Sequence, residues 1–244
     1  MIGFSVTKLY KMNDEQLDMV LYHNLNDKRN FYKGSFASDE LNNAQLHVRN
    51  LNDSACFAFI SNTLERTQSN RMGHWLGFII KITNRKVHLK FIDSFKMPYI
   101  FYGKNIKNYI DGFRYLASKK GIAFIFEEVP FRLQASNSKS CGGYTVYAIL
   151  ELKNCKSDNL FKIFSRFDGK NKQKNDKFVE NFVVKKWPKS FCSDIFTKNT
   201  NVPFCPKKVF GRPGCLKLCS CGKNCCDKVR SIEYIRPNIK SIFS

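Results

Sequence analysis

Apolar residues along this chain fall into two kinds of spacing. Over 13–22, NDEQLDMVLY opens with Asn and acidic residues and then repeats apolar side chains at helical intervals, which predicts a short capped helix. Residues 23–54 are polar and rich in turn formers. From Ala55 the pattern becomes strand-like, with CFAFI, then HWLGFIIKI over 74–82 and KVHLKFID over 86–93. Thr83-Asn84-Arg85-Lys86 is a polar link of hairpin length, so the last two runs are predicted to pair antiparallel. Over 104–120, Ile106, Tyr109, Ile110, Phe113 and Leu116 share one side of a predicted helix. IAFIFEEV over 122–129 reads as a further strand ended by Pro130. CGGYTVYAILELK over 141–153 is apolar enough, and long enough, to predict a buried helix. From about Lys185 the chain turns lysine-rich and loses periodicity, and it carries no internal repeat of useful length. The pattern is that of an α+β core followed by a basic appendage.

Composition narrows this picture. At 244 residues with 43% hydrophobic and 14% aromatic content, the chain has enough apolar material for one substantial core and is not disordered throughout. Its longest apolar runs fall far short of the roughly 20 residues a membrane helix needs. The first residues, MIGFSVTKLYKMNDEQ, meet charges too early for a signal peptide, so a reducing compartment is expected. There, ten cysteines are expected as thiols, metal ligands or a nucleophile rather than a disulfide framework. The net charge of +21 points to a polyanionic partner, most often nucleic acid, although a solvated basic surface gives the same number. Residues 185–244 alone hold thirteen Lys and Arg against three acidic residues.

The hairpin supplies the first chemical inference. With 83–86 as the turn, paired residues have numbers summing to about 169, which puts His74 opposite position 95 and brings His74 and Asp93 to the same open end. A carboxylate on one imidazole nitrogen fixes the tautomer and leaves the other to take a proton from a nucleophile. Two residues alone are more simply an unrelated surface pair. The nucleophile candidate is Cys141, between the polar loop LQASNSKS and the helix beginning CGGYTV, where the helix dipole favours a thiolate; a buried inert cysteine is the alternative. Gly142 and Gly143 are expected to let a substrate backbone approach. Gln134, seven residues upstream, is a candidate oxyanion donor together with the Cys141 backbone N–H.

The order His, Asp, Gln, Cys resembles the adenovirus-type endopeptidases, within the wider group of viral maturation and Ulp1-like cysteine proteases. The resemblance rests on Gly73-His74-Trp75, on Phe91-Ile92-Asp93-Ser94-Phe95, and above all on Gln134-Ala135-Ser136-Asn137-Ser138-Lys139-Ser140-Cys141-Gly142. That last segment has the adenovirus seven-residue step from Gln to Cys and the Asn-Ser pair at the same offset, whereas Ulp1-like enzymes usually use a shorter step. Asp27-Lys28-Arg29 is a fainter match near the N-terminus. The similarity covers roughly 15–195, with an apparent insertion before His74. It implies a papain-like or adenain-like α+β fold over 1–195, a mixed central sheet flanked by helices, and a basic cysteine-rich extension over 196–244. It also implies roles: Cys141 attacks, His74 is base and then acid, Asp93 orients His74, and Gln134 stabilises the oxyanion.

The chain departs from the family at three points. Asp93 stands where the adenovirus enzymes have Glu, a substitution the wider group accepts. Ala123 stands where the family's activating peptide is tied by a disulfide, which leaves a noncovalent activating peptide, or attachment through another thiol, as the form this partner would take. The tail Cys215-x3-Cys219-x-Cys221-x3-Cys225-Cys226 has no counterpart. Cys215, Cys219, Cys221 and Cys225 are weak zinc candidates, because their spacing is not that of two C-x2-C pairs; reduced thiols or virion-stage disulfides are the expected state. No cofactor is required for the chemistry. The resemblance implies a viral endopeptidase, in the virion and the host cell nucleus, cleaving virion precursor polypeptides at glycine-containing sites, with double-stranded DNA as activator and no membrane partner. A ubiquitin- or SUMO-type isopeptidase and a DNA-packaging protein on an inactive protease fold are the rival readings. His88, between Lys86 and Lys90 on its strand, is expected to face outward, and His23 and His47 have no evident partner.

Overall fold

The predicted hairpin is the centre of the molecule. In the computed structural model, strands β3 (Trp75–Thr83) and β4 (Lys86–Ile92) pair antiparallel from Thr83↔Lys86 to Gly77↔Ile92, every pair summing to 169 as expected. The structure describes residues 12–25, 31–43, 55–68, 73–83, 85–153 and 159–187. The boundary at 195, the extension 196–244 with Cys215, Cys219, Cys221 and Cys225, and the Asp27-Lys28-Arg29 match all lie outside them.

Around the hairpin, β2 (Ala55–Asn62) pairs antiparallel with β3, while β1 (Tyr32–Phe36) and β5 (Ala123–Glu128) add in parallel at the two edges, giving the order β1-β2-β3-β4-β5. The sheet is mixed and helices cover both faces. Strand alternation sorts the side chains. Ala58, Ile60, Trp75, Ile79 and Ile92 point into one core, shared with α1 (Asp14–Leu25), α4 (Cys141–Glu151), α5 (Leu160–Phe164) and α6 (Lys172–Lys186). Phe57, Phe59, Leu76, Phe78, Ile80 and Phe91 point into the other, closed by α3 (Lys104–Lys119) and by Leu41 of the one-turn helix α2 (Glu40–Asn43). Here Phe59 stacks on Phe78 with centroids 4.7 Å apart, and Tyr109 of α3 meets Phe59 edge-on at 5.5 Å.

Helix α3 shows the predicted amphipathic face: Ile106, Tyr109, Ile110 and Phe113 are buried. Helix α4 is buried along Cys141–Leu150, because β3 lies on one side and α1 and α6 on others. An all-apolar helix such as YTVYAIL needs that enclosure. Where Gly77 meets α4 the approach is close: a Cβ there would lie 3.2 Å from Ile92 and 3.3 Å from Thr145.

Besides the one-turn α2, three labelled elements had no sequence expectation. Strand β1, YKGSF, is short and interrupted by Gly34 at φ +111°, so its alternation is invisible in a polar stretch. Helices α5 and α6 follow the last predicted helix, and α6 buries the polar residues Asn175 and Asp176 beside Val179 and Val183, which hides its inward face from a hydrophobicity pattern. Cys56 on β2, expected as a thiol, is disulfide-bonded.

Candidate active site

His74 lies one residue before β3 and Asp93 one residue after β4, so the hairpin register alone sets them side by side. His74 Nε2 is 2.7 Å from Asp93 Oδ1. The backbone around His74 continues the β2–β3 ladder: its N–H donates to Thr63 Oγ1 at 3.0 Å and its carbonyl accepts from the Thr63 N–H at 2.9 Å. Beyond β4 the chain turns tightly around the Asp93 carboxylate. Oδ1 also accepts the Phe95 N–H at 2.9 Å, while Oδ2 accepts the Met97 N–H at 2.7 Å and the Tyr102 hydroxyl at 2.8 Å. Between those two amides Lys96 takes a left-handed conformation, φ 58°, a costly one for a residue with a Cβ, held here by the turn that lets both N–H groups converge on one carboxylate. The imidazole stacks on Phe95 at 4.8 Å and on Tyr102 at 5.6 Å.

Electrostatics follow from this cage. Burial opposes a charged imidazole at His74, but its hydrogen bonds to Asp93 and to Cys141, and the negative charge of both, outweigh that cost and raise its pKa to about 9. For Asp93, burial works against ionisation, yet the contact with His74 and the donors Phe95 N–H and Tyr102 hydroxyl win and hold its carboxyl below the usual range. Since Nε2 is taken by Asp93, Nδ1 is the nitrogen left for the thiol.

Cys141 is buried as the first residue of α4 and has His74 as a hydrogen-bond partner. Helix α4 therefore brings the Cys141 side chain to the end of the hairpin, and three of the four sequence candidates form one chain: Asp93, His74, Cys141. Gln134 is buried in the preceding loop, where its Oε1 accepts the Ser94 hydroxyl at 2.6 Å and its Nε2 donates to the Ser138 carbonyl at 2.9 Å. Its amide carries a second N–H, for which the described residues show no acceptor. Ser94, next to Asp93, also takes the Leu133 and Gln134 backbone N–H groups on its carbonyl, at 2.9 and 3.0 Å. The Asp93 turn and the Gln134 loop are thus joined directly.

Helix α6 holds that loop from the other side, a contribution no sequence signal revealed. Asp176 accepts the Ala135 N–H at 3.2 Å and the Tyr144 hydroxyl at 2.8 Å. Asn175 donates to the Leu133 carbonyl at 3.1 Å, and Glu180 accepts the Ser140 hydroxyl at 2.7 Å. Burial raises the Asp176 carboxyl above the usual range despite these donors.

Two expectations need correction. Gly142 and Gly143 do not open toward a substrate; a Cβ on Gly142 would meet Leu17 at 2.9 Å and Trp75 at 3.4 Å, and one on Gly143 would meet Val179 at 3.4 Å. Their small size lets α4 press against α1, β3 and α6. His88 does not simply face outward: it is half-buried and pairs with Glu127 at 2.9 Å, beside Lys90 at 2.6 Å from the same carboxylate. Glu127 also accepts the Leu160 N–H, and despite burial these partners lower its pKa to about 2. Trp75 is buried, as strand β3 requires, with its indole N–H on the Met12 carbonyl at 2.8 Å. No group of three or more metal-ligating side chains occurs among the described residues, and no described helix is long and apolar enough to cross a membrane.

No protein-family model and no curated protein matches this chain. Solved structures do. The crystal structure of an ASFV protease aligns with a TM-score of 0.50 and 12% identity, over 72% of this chain and 68% of that one. A de-sumoylating protease gives 0.40 and 14%, over 75% and 83% of the two chains, and the SUMO protease Ulp1 gives 0.35 and 13%, over 74% and 80%. The chain shares the fold of the ASFV protease, an α+β arrangement with a mixed central sheet flanked by helices, in agreement with the sequence expectation. At such identities the likeness is one of fold, and any activity has to be argued from the side chains.

Proposed function

We propose that the protein is a cysteine peptidase with Cys141 as nucleophile. One observation carries this: a cysteine at the start of a buried helix shares a hydrogen bond with a histidine whose other nitrogen is held 2.7 Å from an ionised, fully bonded aspartate. Such a chain favours a thiolate–imidazolium pair. In the reaction the Cys141 sulfur attacks the scissile carbonyl carbon. The resulting oxyanion is stabilised by the second amide N–H of Gln134 and the backbone N–H of Cys141. His74 gives its Nδ1 proton to the leaving amine, then takes one from the water that hydrolyses the thioester. Asp93 keeps the ring in the orientation that serves both transfers.

The finer reading is a viral endopeptidase that processes virion precursor polypeptides at glycine-containing sites and works on double-stranded DNA, in the virion and the host nucleus. Its support is the seven-residue step from Gln134 to Cys141 with the Asn137-Ser138 pair between, and the net charge of +21 available for phosphate contacts. The name of the ASFV protease is consistent with a viral setting. A noncovalent activating peptide belongs to the same reading.

The test is cleavage of fluorogenic peptides ending in apolar-X-Gly-Gly and apolar-X-Gly-X by the full chain and by Cys141→Ala, with and without duplex DNA. Turnover that needs Cys141 and rises with DNA is the expected result. Cys141-dependent turnover indifferent to DNA favours an isopeptidase. Absence of turnover with the DNA complex intact favours the packaging protein.

A further inference from the structure

The chain of three side chains has a fourth neighbour that touches two of its members. Tyr102 ends the 3-10 turn Tyr99–Tyr102, which follows the turn around Asp93. Its hydroxyl donates to Asp93 Oδ2 at 2.8 Å, and its ring stacks on the His74 imidazole at 5.6 Å with 21° between the planes. Among the described residues it is the one side chain besides His74 that hydrogen-bonds Asp93. The backbone donors Phe95 N–H and Met97 N–H come from the same tight turn, so they fix the carboxylate from that turn alone. A carboxylate turns readily about its last side-chain bond, and Tyr102 adds to the turn amides a side-chain donor on Oδ2, opposite the Oδ1 that His74 holds. Phe95 also stacks on His74, but it offers Asp93 only a backbone group.

We propose that Tyr102 is a positioning residue of the catalytic centre, holding Asp93 through its hydroxyl and the His74 ring through its own. This rests on the peptidase reading of Asp93, His74 and Cys141. Burial and the adjoining Asp93 carboxylate keep the phenol protonated, so the hydroxyl acts as a donor. The outer residues of the same turn, Ile100 and Phe101, are exposed, so the turn is held to the body by its inward groups. The titratable groups facing Tyr102 are Asp93, His74 before β3 and Cys141 on α4. Nearby, Lys96 is paired with Glu128, and Arg132 lies over the Phe95 ring at 5.3 Å.

Tyr102→Phe keeps the ring and removes the hydroxyl; Tyr102→Leu removes both. Each variant of the full chain is assayed for kcat and KM on a cleavable peptide. Each is also assayed for the rate of Cys141 alkylation by iodoacetamide across pH, with the labelled cysteine identified by mass spectrometry, a readout that needs no substrate. Loss of one hydrogen bond to a charged group predicts about a tenfold fall in kcat at unchanged KM for Tyr102→Phe, with a larger fall for Tyr102→Leu. Because the hydroxyl stabilises ionised Asp93, its removal should move the acid limb of Cys141 alkylation to higher pH. An acid limb that stays in place in Tyr102→Phe overturns the proposal whatever the peptide kinetics show, as does a change confined to KM. If the wild type alkylates at Cys141 but cleaves no peptide, a moved limb upholds the positioning role while the peptidase reading fails.

Discussion

His74 keeps its proton more tightly in the folded protein than an ordinary imidazole, about 9 against 6.5. A group with a raised folded pKa adds stability that is complete below the unfolded value and is lost as pH rises through the folded one. The excess stability of wild type over His74→Gln should therefore shrink between about pH 6.5 and 9, which urea midpoints at a series of pH values will show; a constant difference across that window contradicts the imidazolium assignment. Turnover should fall over the upper part of the same range as the ion pair loses its proton. Asp176 matters in a different way, since it touches none of the reacting groups and instead fastens the loop bearing Gln134. Asp176→Ala strands the Ala135 N–H and leaves the Tyr144 hydroxyl only the Leu133 carbonyl, at an expected cost of about 1–3 kcal/mol in thermal or urea unfolding. Its kcat should fall with KM little changed, whereas Asp176→Asn, which retains an acceptor, should lose less of both. Equal effects of the two substitutions would remove hydrogen bonding as the reason.

At the level of elements, two glycines in helices separate space from propensity. Gly142 in α4 has Leu17, Trp75 and Met12 within reach of any added carbon, the nearest at 2.9 Å. Gly142→Ala should destabilise the protein by roughly 1–3 kcal/mol through overpacking, because α1, β3 and α4 meet at that point. Gly112, in the middle of α3, has nothing within 4 Å of a Cβ. Gly112→Ala should stabilise by roughly 0.5–1 kcal/mol, since it only lowers the freedom of the unfolded chain and adds helix propensity. Thermal unfolding of both variants decides the matter, and opposite signs are expected. The contrast reflects position: α3 caps one face of the sheet and keeps a solvent side, while α4 is enclosed.

For the molecule as a whole, charge is the largest unspent feature. Binding of duplex DNA, followed by fluorescence anisotropy, should weaken by on the order of a thousandfold between about 50 and 200 mM salt, and equally so for Cys141→Ala, because phosphate neutralisation by many Lys and Arg does not involve the thiol. A weak salt dependence would separate the +21 charge from DNA. Local spacing was sufficient for the hairpin, for α3 and α4, and for the nearness of His74 and Asp93, since strand register is settled by alternation and turn length over neighbouring residues. It could not show that Phe95, Met97 and Tyr102 close around Asp93, which depends on one left-handed residue at Lys96 and a following turn. Nor could it show α6, whose inward face interrupts the core residues Val179 and Val183 with Asn175 and Asp176, which bond a loop. The two glycines after Cys141 read as openings for a substrate until the neighbours of α4 were known. What neighbours in the chain decide is therefore written in the order of residues; what aligns Cys141 with His74, and Gln134 with both, is decided by contacts between segments roughly forty to seventy residues apart, for which a single sequence carries no period.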